Sequence, residues 1–364
     1  MKSPGSSRTA AKLGISPGGR ASRISRSETG KAGGERAEVD EPKILSLGAV
    51  KVGFPAVLAS LAGYSDLAHR LLCRSLGAPY AGTEAMLAHM LLVDNKLRRR
   101  LVRMDAADHP VAGQLMGAEP EVMARAAAVL DDMGFDVVDL NFACPVKKVL
   151  GRGRGGALME KPDLALDIVR AVVRAAPRRP VTVKLRRAYG DGGDEAFWKI
   201  SRGAFDAGAA ALCVHARTVE QKYRGRADWD FLARVKAAFP DRTIIGSGDV
   251  FRAEDVLEMI RRTGVDGVSV ARGAIGNPWI FAQARALAAG GDVREPTLSE
   301  QRALIERHFE LTSRLYGPRF VVKKMRRFSI HYAGLHPQPS RARAAYIAVK
   351  SLDDWRAALD ALYS

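Results

Sequence analysis

Cysteine is scarce in this chain: its 364 residues hold three, Cys73, Cys144 and Cys213. They are odd in number and far apart, with no Cys-x-x-Cys pair and no Cys/His spacing of a metal site. That pattern excludes a disulfide framework and a structural zinc, so no metal is expected. A reducing cytoplasm is the expected compartment. Long apolar runs are missing too. None approaches the roughly eighteen residues needed to cross a bilayer, and the N-terminus lacks the apolar stretch of a secretory signal. Residues 1–43 have no aromatic residue, and their first acid is Glu28. They are rich in Ser, Gly and Arg and show no periodicity, which predicts a disordered basic extension. A transit peptide stays open there.

Acidic residues are outnumbered, 40 against 57 Lys and Arg, for a formal charge of +17. Residues 1–43 carry nine basic against five acidic residues, and residues 296–364 carry twelve against six. Excess positive charge at both ends and in loops is the footprint of a nucleic-acid binder; a merely basic surface is the plainer reading. The first 43 residues would then be an RNA tether or a linker.

From residue 54 onward, short apolar runs alternate with helical patterns. The predicted strands are Phe54–Ser60, Tyr80–Thr83, Val111–Met116, Val137–Asn141, Val181–Leu185, Ala211–His215, Thr243–Gly246 and Gly267–Ala271. Between them lie amphipathic patterns such as Pro120–Met133, Pro162–Ala175, Trp198–Ala207, Asp228–Ala238 and Ala253–Thr263. Eight strand-helix units predict an α/β fold, a (β/α)8 TIM barrel. A doubly wound sheet would carry Gly-x-Gly-x-x-Gly after its first strand, and none stands there. Helical patterns follow at Leu298–Tyr316, Arg319–Ala333, Ser340–Ser351 and Asp353–Leu362, with Ser299 and Ser351 as expected N-caps. The expected domains are the extension 1–43, a barrel 44–295 and a small C-terminal helical domain 296–364.

Functional groups of such a barrel gather at the C-terminal ends of its strands. Those ends read Ala62-Gly63, Glu84, Gln114, Asn141/Cys144, Lys184, His215, Gly246-Ser247-Gly248 and Arg272-Gly273. The most informative stretch is Asp139-Leu140-Asn141-Phe142-Ala143-Cys144-Pro145-Val146. It places one thiol at the end of an apolar strand, before Lys147, Lys148 and the loop Gly151-Arg152-Gly153-Arg154-Gly155-Gly156. A lone cysteine after a strand is most often a small buried hydrophobe. The neighbouring lysines and basic loop point instead to chemistry on an anionic polymer.

Gly246-Ser247-Gly248 after strand 7 and Arg272-Gly273 after strand 8 stand where this fold commonly holds phosphate. They predict a phosphate-bearing cofactor. Lys184 lies inside an apolar strand, where its ammonium needs an anion or acceptor. A flavin supplies one, because its pyrimidine edge gains negative charge on reduction. Gln114 and His215 can serve the same edge, although a lone His215 would read as a core histidine.

At these residues the chain resembles the dihydrouridine synthases, flavin enzymes that reduce uridine in RNA, and most of all their bacterial B-type branch. The resemblance rests on Asn141-Phe142-Ala143-Cys144-Pro145, Lys147-Lys148-Val149 and Gly155-Gly156-Ala157-Leu158. Supporting segments are Leu61-Ala62-Gly63-Tyr64-Ser65-Asp66, Thr83-Glu84-Ala85-Met86, Gln114-Leu115-Met116-Gly117, His215-Ala216-Arg217-Thr218 and Arg272-Gly273-Ala274 through Pro278-Trp279-Ile280-Phe281. It spans about residues 50–335.

The resemblance implies FMN as cofactor, NADPH as reductant and tRNA as partner. Cys144 would protonate C5 of a flipped-out uracil while hydride reaches C6. It assigns Gln114, Lys184 and His215 to the isoalloxazine, Ala62 and Gly63 to its face, and Gly246, Ser247, Gly248, Arg272 and Gly273 to the phosphate side. Asn141, Lys147, Lys148 and Arg217 would meet substrate, and Lys323, Lys324, Arg326 and Arg327 the RNA phosphates. The chain departs from the family pattern at Ala143 (usually Gly), Ser247 (usually Asn) and Leu61 (usually part of a Pro-Met pair). The same chemistry on rRNA, and a non-catalytic RNA-binding regulator, are the alternative readings.

Overall fold

The computed structural model describes residues 43–364, so the expected extension 1–43 lies almost wholly outside the described residues. Among them, eight parallel strands close into a barrel: β1 (Ala56–Leu58), β2 (Ala81–Gly82), β3 (Val111–Met116), β4 (Val137–Asn141), β5 (Val181–Arg186), β6 (Ala211–His215), β7 (Thr243–Ser247) and β8 (Gly267–Val270). Closure is explicit in the register, since Val57 pairs with Ser269 of β8 and Leu58 with Ala81 of β2. β3 and β4 are buried along their whole length. Parallel strands covered on both faces read as continuous apolar runs, which is why all but the first were legible to within a residue at either end.

The helices follow the apolar stripes. Pro162–Ala175 starts on a proline with Asp163 in its first turn and buries Ala165, Leu166, Ile168, Val169 and Val172. That spacing is one face of an α-helix. At Gly113 of β3, an added Cβ would lie 2.6 Å from Leu130 Cδ1, so glycine lets helix Pro120–Asp132 sit close to the sheet. A hairpin, Leu45–Leu47 with Val50–Gly53, was not anticipated. Its Leu45, Leu47 and Val52 pack with Val57, Tyr80, Ala112, Val137, Ala211 and Ile245, which closes the N-terminal mouth of the barrel.

Helices Leu298–Tyr316, Pro318–Tyr332, Pro339–Ala348 and Leu352–Leu362 follow. Ser351 caps the last, in a reciprocal box with Asp354. Ser299 is not the cap of the first; Thr297 is, with Glu300 completing the box. Thr297 stands before Leu298 and three residues ahead of an acid, the spacing a capping box needs. The helical region shares one apolar cluster with the barrel: Tyr64, Leu72 and Ile275 pack with Leu304, Val321, Met325 and Phe328.

Candidate functional site at the C-terminal mouth of the barrel

The register sets Gln114, Asp139 and Thr182 side by side on β3, β4 and β5, and Asn141, Lys184 and Cys213 side by side one layer higher. Side chains alternate along strands, so residues 139 and 141 share a face. Buried Asp139 accepts from Gln114 Nε2 (2.6 Å) and Thr182 Oγ1 (2.7 Å). Gln114 Oε1 accepts from Asn141 Nδ2 (2.7 Å), and Asn141 Oδ1 accepts the amides of Ala143 (3.1 Å) and Cys144 (3.0 Å). The amide orientations follow from one another. The loop N–H groups require the oxygen of Asn141, which turns Nδ2 to Gln114 and the Gln114 amide nitrogen to Asp139. Asn141 therefore holds the cysteine loop, with one N–H left over for anything else.

Cys144 is half-buried at the end of this chain of bonds. Burial pushes its thiol above the ordinary value, while the Val146 amide and the Arg186 guanidinium oppose that rise. The loop closes over it through glycine. An added Cβ at Gly155 (φ +59°) would come within 2.9 Å of Cys144 Cβ. Lys147 and Lys148 begin the short helix Lys147–Leu150 and are exposed.

Four cations crowd His215. Burial first, and then Arg186, Lys184, Arg217 and Arg272, hold its pKa well below the usual histidine range, so the ring is neutral. Nδ1 faces Ser247 Oγ at 3.4 Å, while Nε2 is buried without a partner. Lys184 Nζ donates to Cys213 Sγ at 3.2 Å. Among the described residues it has no carboxylate within 4 Å. Buried Arg186 reaches the carbonyls of Ala143, Thr218 and Lys222, each at 2.8 Å. Arg217 is buried and tied to Asp249 at 2.6 Å, with Nη1 unpartnered. This draws Arg217 to the β7 side of the site, away from any exposed rim. Arg272 reaches Asp249 at 3.4 Å and lies between the rings of Tyr223 and Phe251, 4.8 Å from each.

The glycines at this end have different roles. Gly248 (φ +132°) turns toward Ala227 and His215. An added Cβ on Gly246 would meet Met259 Sδ at 2.6 Å, so the missing side chain lets helix Ala253–Thr263 pack close to β7. Gly273 approaches the Val250 carbonyl, where a Cβ would sit 2.6 Å away.

The loop Leu61–Asp66, which carries Ala62 and Gly63, is gripped by the C-terminal helices. The Gly63 amide donates to Glu84 at the end of β2. Arg327 lies over the Tyr64 ring at 4.1 Å, and Tyr316 donates to Asp66 at 2.8 Å. Lys324 reaches Asp66 at 3.4 Å. The four expected RNA cations thus part company. Lys323 is exposed, Lys324 and Arg327 turn onto the barrel loop, and Arg326 donates to the Ile347 carbonyl at 2.6 Å.

Sequence reasoning assigned no role to Asp139, Thr182, Arg186, Tyr223 or Asp249. The first three had a signal, being polar residues inside apolar strands at the alternation of Asn141 and Lys184. Tyr223 and Asp249 sit in loops and had none. The buried, unpartnered His215 Nε2 and Arg217 Nη1, with half-buried Lys184 nearby, fit a group that is polar along one edge and anionic at one end. A flavin phosphate ester has that form. Among the described residues, no three His, Cys, Asp or Glu side chains are placed to hold a metal ion.

Residues 57–362 match the family model for dihydrouridine synthase. The chain is 35% identical over 338 residues to a probable tRNA-dihydrouridine synthase of Mycobacterium tuberculosis, covering 90% of this chain and 87% of that protein. It is 37% identical over 306 residues to tRNA-dihydrouridine synthase B of Xanthomonas campestris, covering 82% and 90%. Solved structures share the barrel at low identity. Histamine dehydrogenase from Rhizobium sp. 4-9 aligns with TM-score 0.56 and 14% identity, covering 76% of this chain and 51% of that one. Morphinone reductase in complex with tetrahydroNAD gives 0.51 and 15%, covering 70% and 92%. With its barrel closed, its thiol loop in place and the match running across nearly all of the described residues, the chain belongs to the dihydrouridine synthase family.

Proposed function

We propose that this protein reduces uridine to 5,6-dihydrouridine in tRNA, with FMN as its bound cofactor and NADPH as reductant, acting in the cytoplasm. The observation that carries this reading is Cys144: a half-buried thiol at the barrel mouth, on a loop whose backbone amides are held by Asn141. When bound, the reduced flavin supplies the hydride for C6 of the uracil. Everything else falls to side chains. Cys144 holds the proton for C5, and its raised pKa keeps it a donor at neutral pH. Lys184 and neutral His215 offer donors to the pyrimidine edge of the cofactor. Arg272 and Arg217 provide charge on its phosphate side, with Gly248 leaving room for a close backbone approach. This reading moves Arg217 from substrate to cofactor. A uracil inside the barrel must leave its stack, which suits a site rimmed by cations.

The test is nucleoside mass spectrometry of tRNA and rRNA from cells with and without this gene, together with the absorption spectrum of the purified protein. Dihydrouridine lost from tRNA, with a yellow protein, is the expected result. Loss from rRNA alone would change the substrate. A colourless protein with no change in either pool would overturn the enzymatic reading.

A further inference from the structure

Charge in the helical region is strongly segregated. Residues 311–352 hold nine Lys and Arg and no Asp or Glu. Ion pairs made between residues of this region lie outside that stretch, at Arg294–Glu300, Arg302–Glu306, Arg302–Asp360 and Arg307–Glu310. Among the described residues, Lys324 is the one cation of the stretch with a carboxylate within 4 Å, namely Asp66. Arg314, Arg319, Lys323, Arg341 and Arg343 are exposed and unneutralised, beside the exposed ring of Phe320. A second basic element comes from the barrel. The helix Lys96–Leu101, in the β2–β3 connection, presents Lys96, Arg98, Arg99 and Arg100, with Arg103 just beyond. Asn95 caps its start.

The two elements meet at one aromatic ring. Arg100 lies 5.1 Å from the centre of Tyr316 and Lys324 lies 4.4 Å from it. Tyr316 and Lys324 also hold Asp66, which begins the helix after β1. Helix Lys96–Leu101 therefore stands at the level of the strands' C-terminal ends, beside the mouth that carries Cys144. Like charges brought this close, with Asp94 the nearby acid that pairs Arg98 and Arg99, cost energy unless an anion covers them. Exposed cations spread across two elements and interleaved with aromatic rings match a phosphate backbone, whose charges also recur at intervals.

We propose that helix Lys96–Leu101 with Arg103 is a second RNA-gripping arm, which joins the basic helical region at Tyr316. This rests on the reading of the protein as an RNA-modifying enzyme. It adds a grip from the barrel that the helical region alone would not provide. Asp94 is an internal competitor of this arm, because it occupies the Arg99 fork that a phosphate would take.

The test is binding of bulk tRNA to the full-length holoenzyme across a salt series. The triple variant Lys96→Glu/Arg99→Glu/Arg103→Glu changes exposed side chains only. It should weaken binding on the order of tenfold and shrink the slope of log affinity against log salt by about one for each phosphate left without its cation. The charge-matched control Arg125→Glu/Arg170→Glu/Arg174→Glu, on the barrel flank, should leave the slope near wild type. Asp94→Asn should tighten binding and steepen the slope. Equal effects from both triples, or an unchanged slope in the first, overturn the second arm while leaving the enzymatic reading intact. Wild-type protein that binds neither tRNA nor rRNA overturns both.

Discussion

Cys144 is held by a relay of four polar side chains, and each member can be tested. If Cys144 supplies only the proton at C5, Cys144→Ala should leave cofactor binding and NADPH oxidation intact. Dihydrouridine formation should fall by about 10²–10⁴-fold, the usual weight of a general acid. Nucleoside analysis after single turnover reads this directly, and full activity would remove Cys144 from the mechanism. The pH dependence has a definite sign. A donor must be protonated, and burial raises this thiol above its ordinary value. Turnover should thus hold through neutral pH and decline only as pH rises through the raised pKa. A decline beginning on the acid side of pH 7 would contradict that. Asp139→Ala would strand Gln114 Nε2 and Thr182 Oγ1 in a buried site. The expected cost is about 1–3 kcal/mol, together with weaker FMN binding because Gln114 loses its orientation. Melting temperature and FMN titration check the two halves separately.

Among the elements, helix Leu67–Ser75 carries the most consequence, because it faces barrel and helical region alike. Its Arg70 is buried against Asp108 at 2.5 Å, both nearly inaccessible. Breaking that pair with Asp108→Ala would leave a buried unpaired guanidinium and cost roughly 3–5 kcal/mol. The same helix carries His69, whose ring lies 5.8 Å from that of His308, itself hydrogen-bonded to Tyr332 at 2.7 Å. Burial lowers His69 to about 4 and His308 to about 3. The unfolded chain takes up these protons first, near pH 6.5, so stability present above that pH is lost as pH falls below it. Each histidine should contribute a loss on the order of 1 kcal/mol between pH 6.5 and 5.5. A melting temperature unchanged over that interval would show that both rings accept protons in place.

For the whole molecule, the shared apolar cluster has a direct consequence. Tyr64, Leu72 and Ile275 of the barrel are buried by the C-terminal helices. Removing residues 296–364 would expose them together with the Leu61–Asp66 loop, so the barrel alone should aggregate or melt far below the full chain. The intact protein should unfold in one thermal transition. Two resolved transitions in calorimetry would show that barrel and helical region hold themselves up separately.

Much of this was legible before any fold was known. The alternation of buried runs and amphipathic stripes announces the barrel, because parallel strands covered on both faces must be apolar throughout. Cys144, its basic loop and the polar strand ends were visible for the opposite reason, as polar groups where apolar ones belong. Ser351 with Asp354 could be read as a cap because capping is local. What sequence could not supply depends on distances across the closed sheet. Register joins Asp139 to Gln114 and Asn141, and helix packing sets Met259 against Gly246. Helix packing divides four adjacent cations among solvent, a carbonyl, an aromatic ring and Asp66. Residues near in sequence reveal their element, whereas residues near in space reveal their role only once strand order, register and helix docking bring them together.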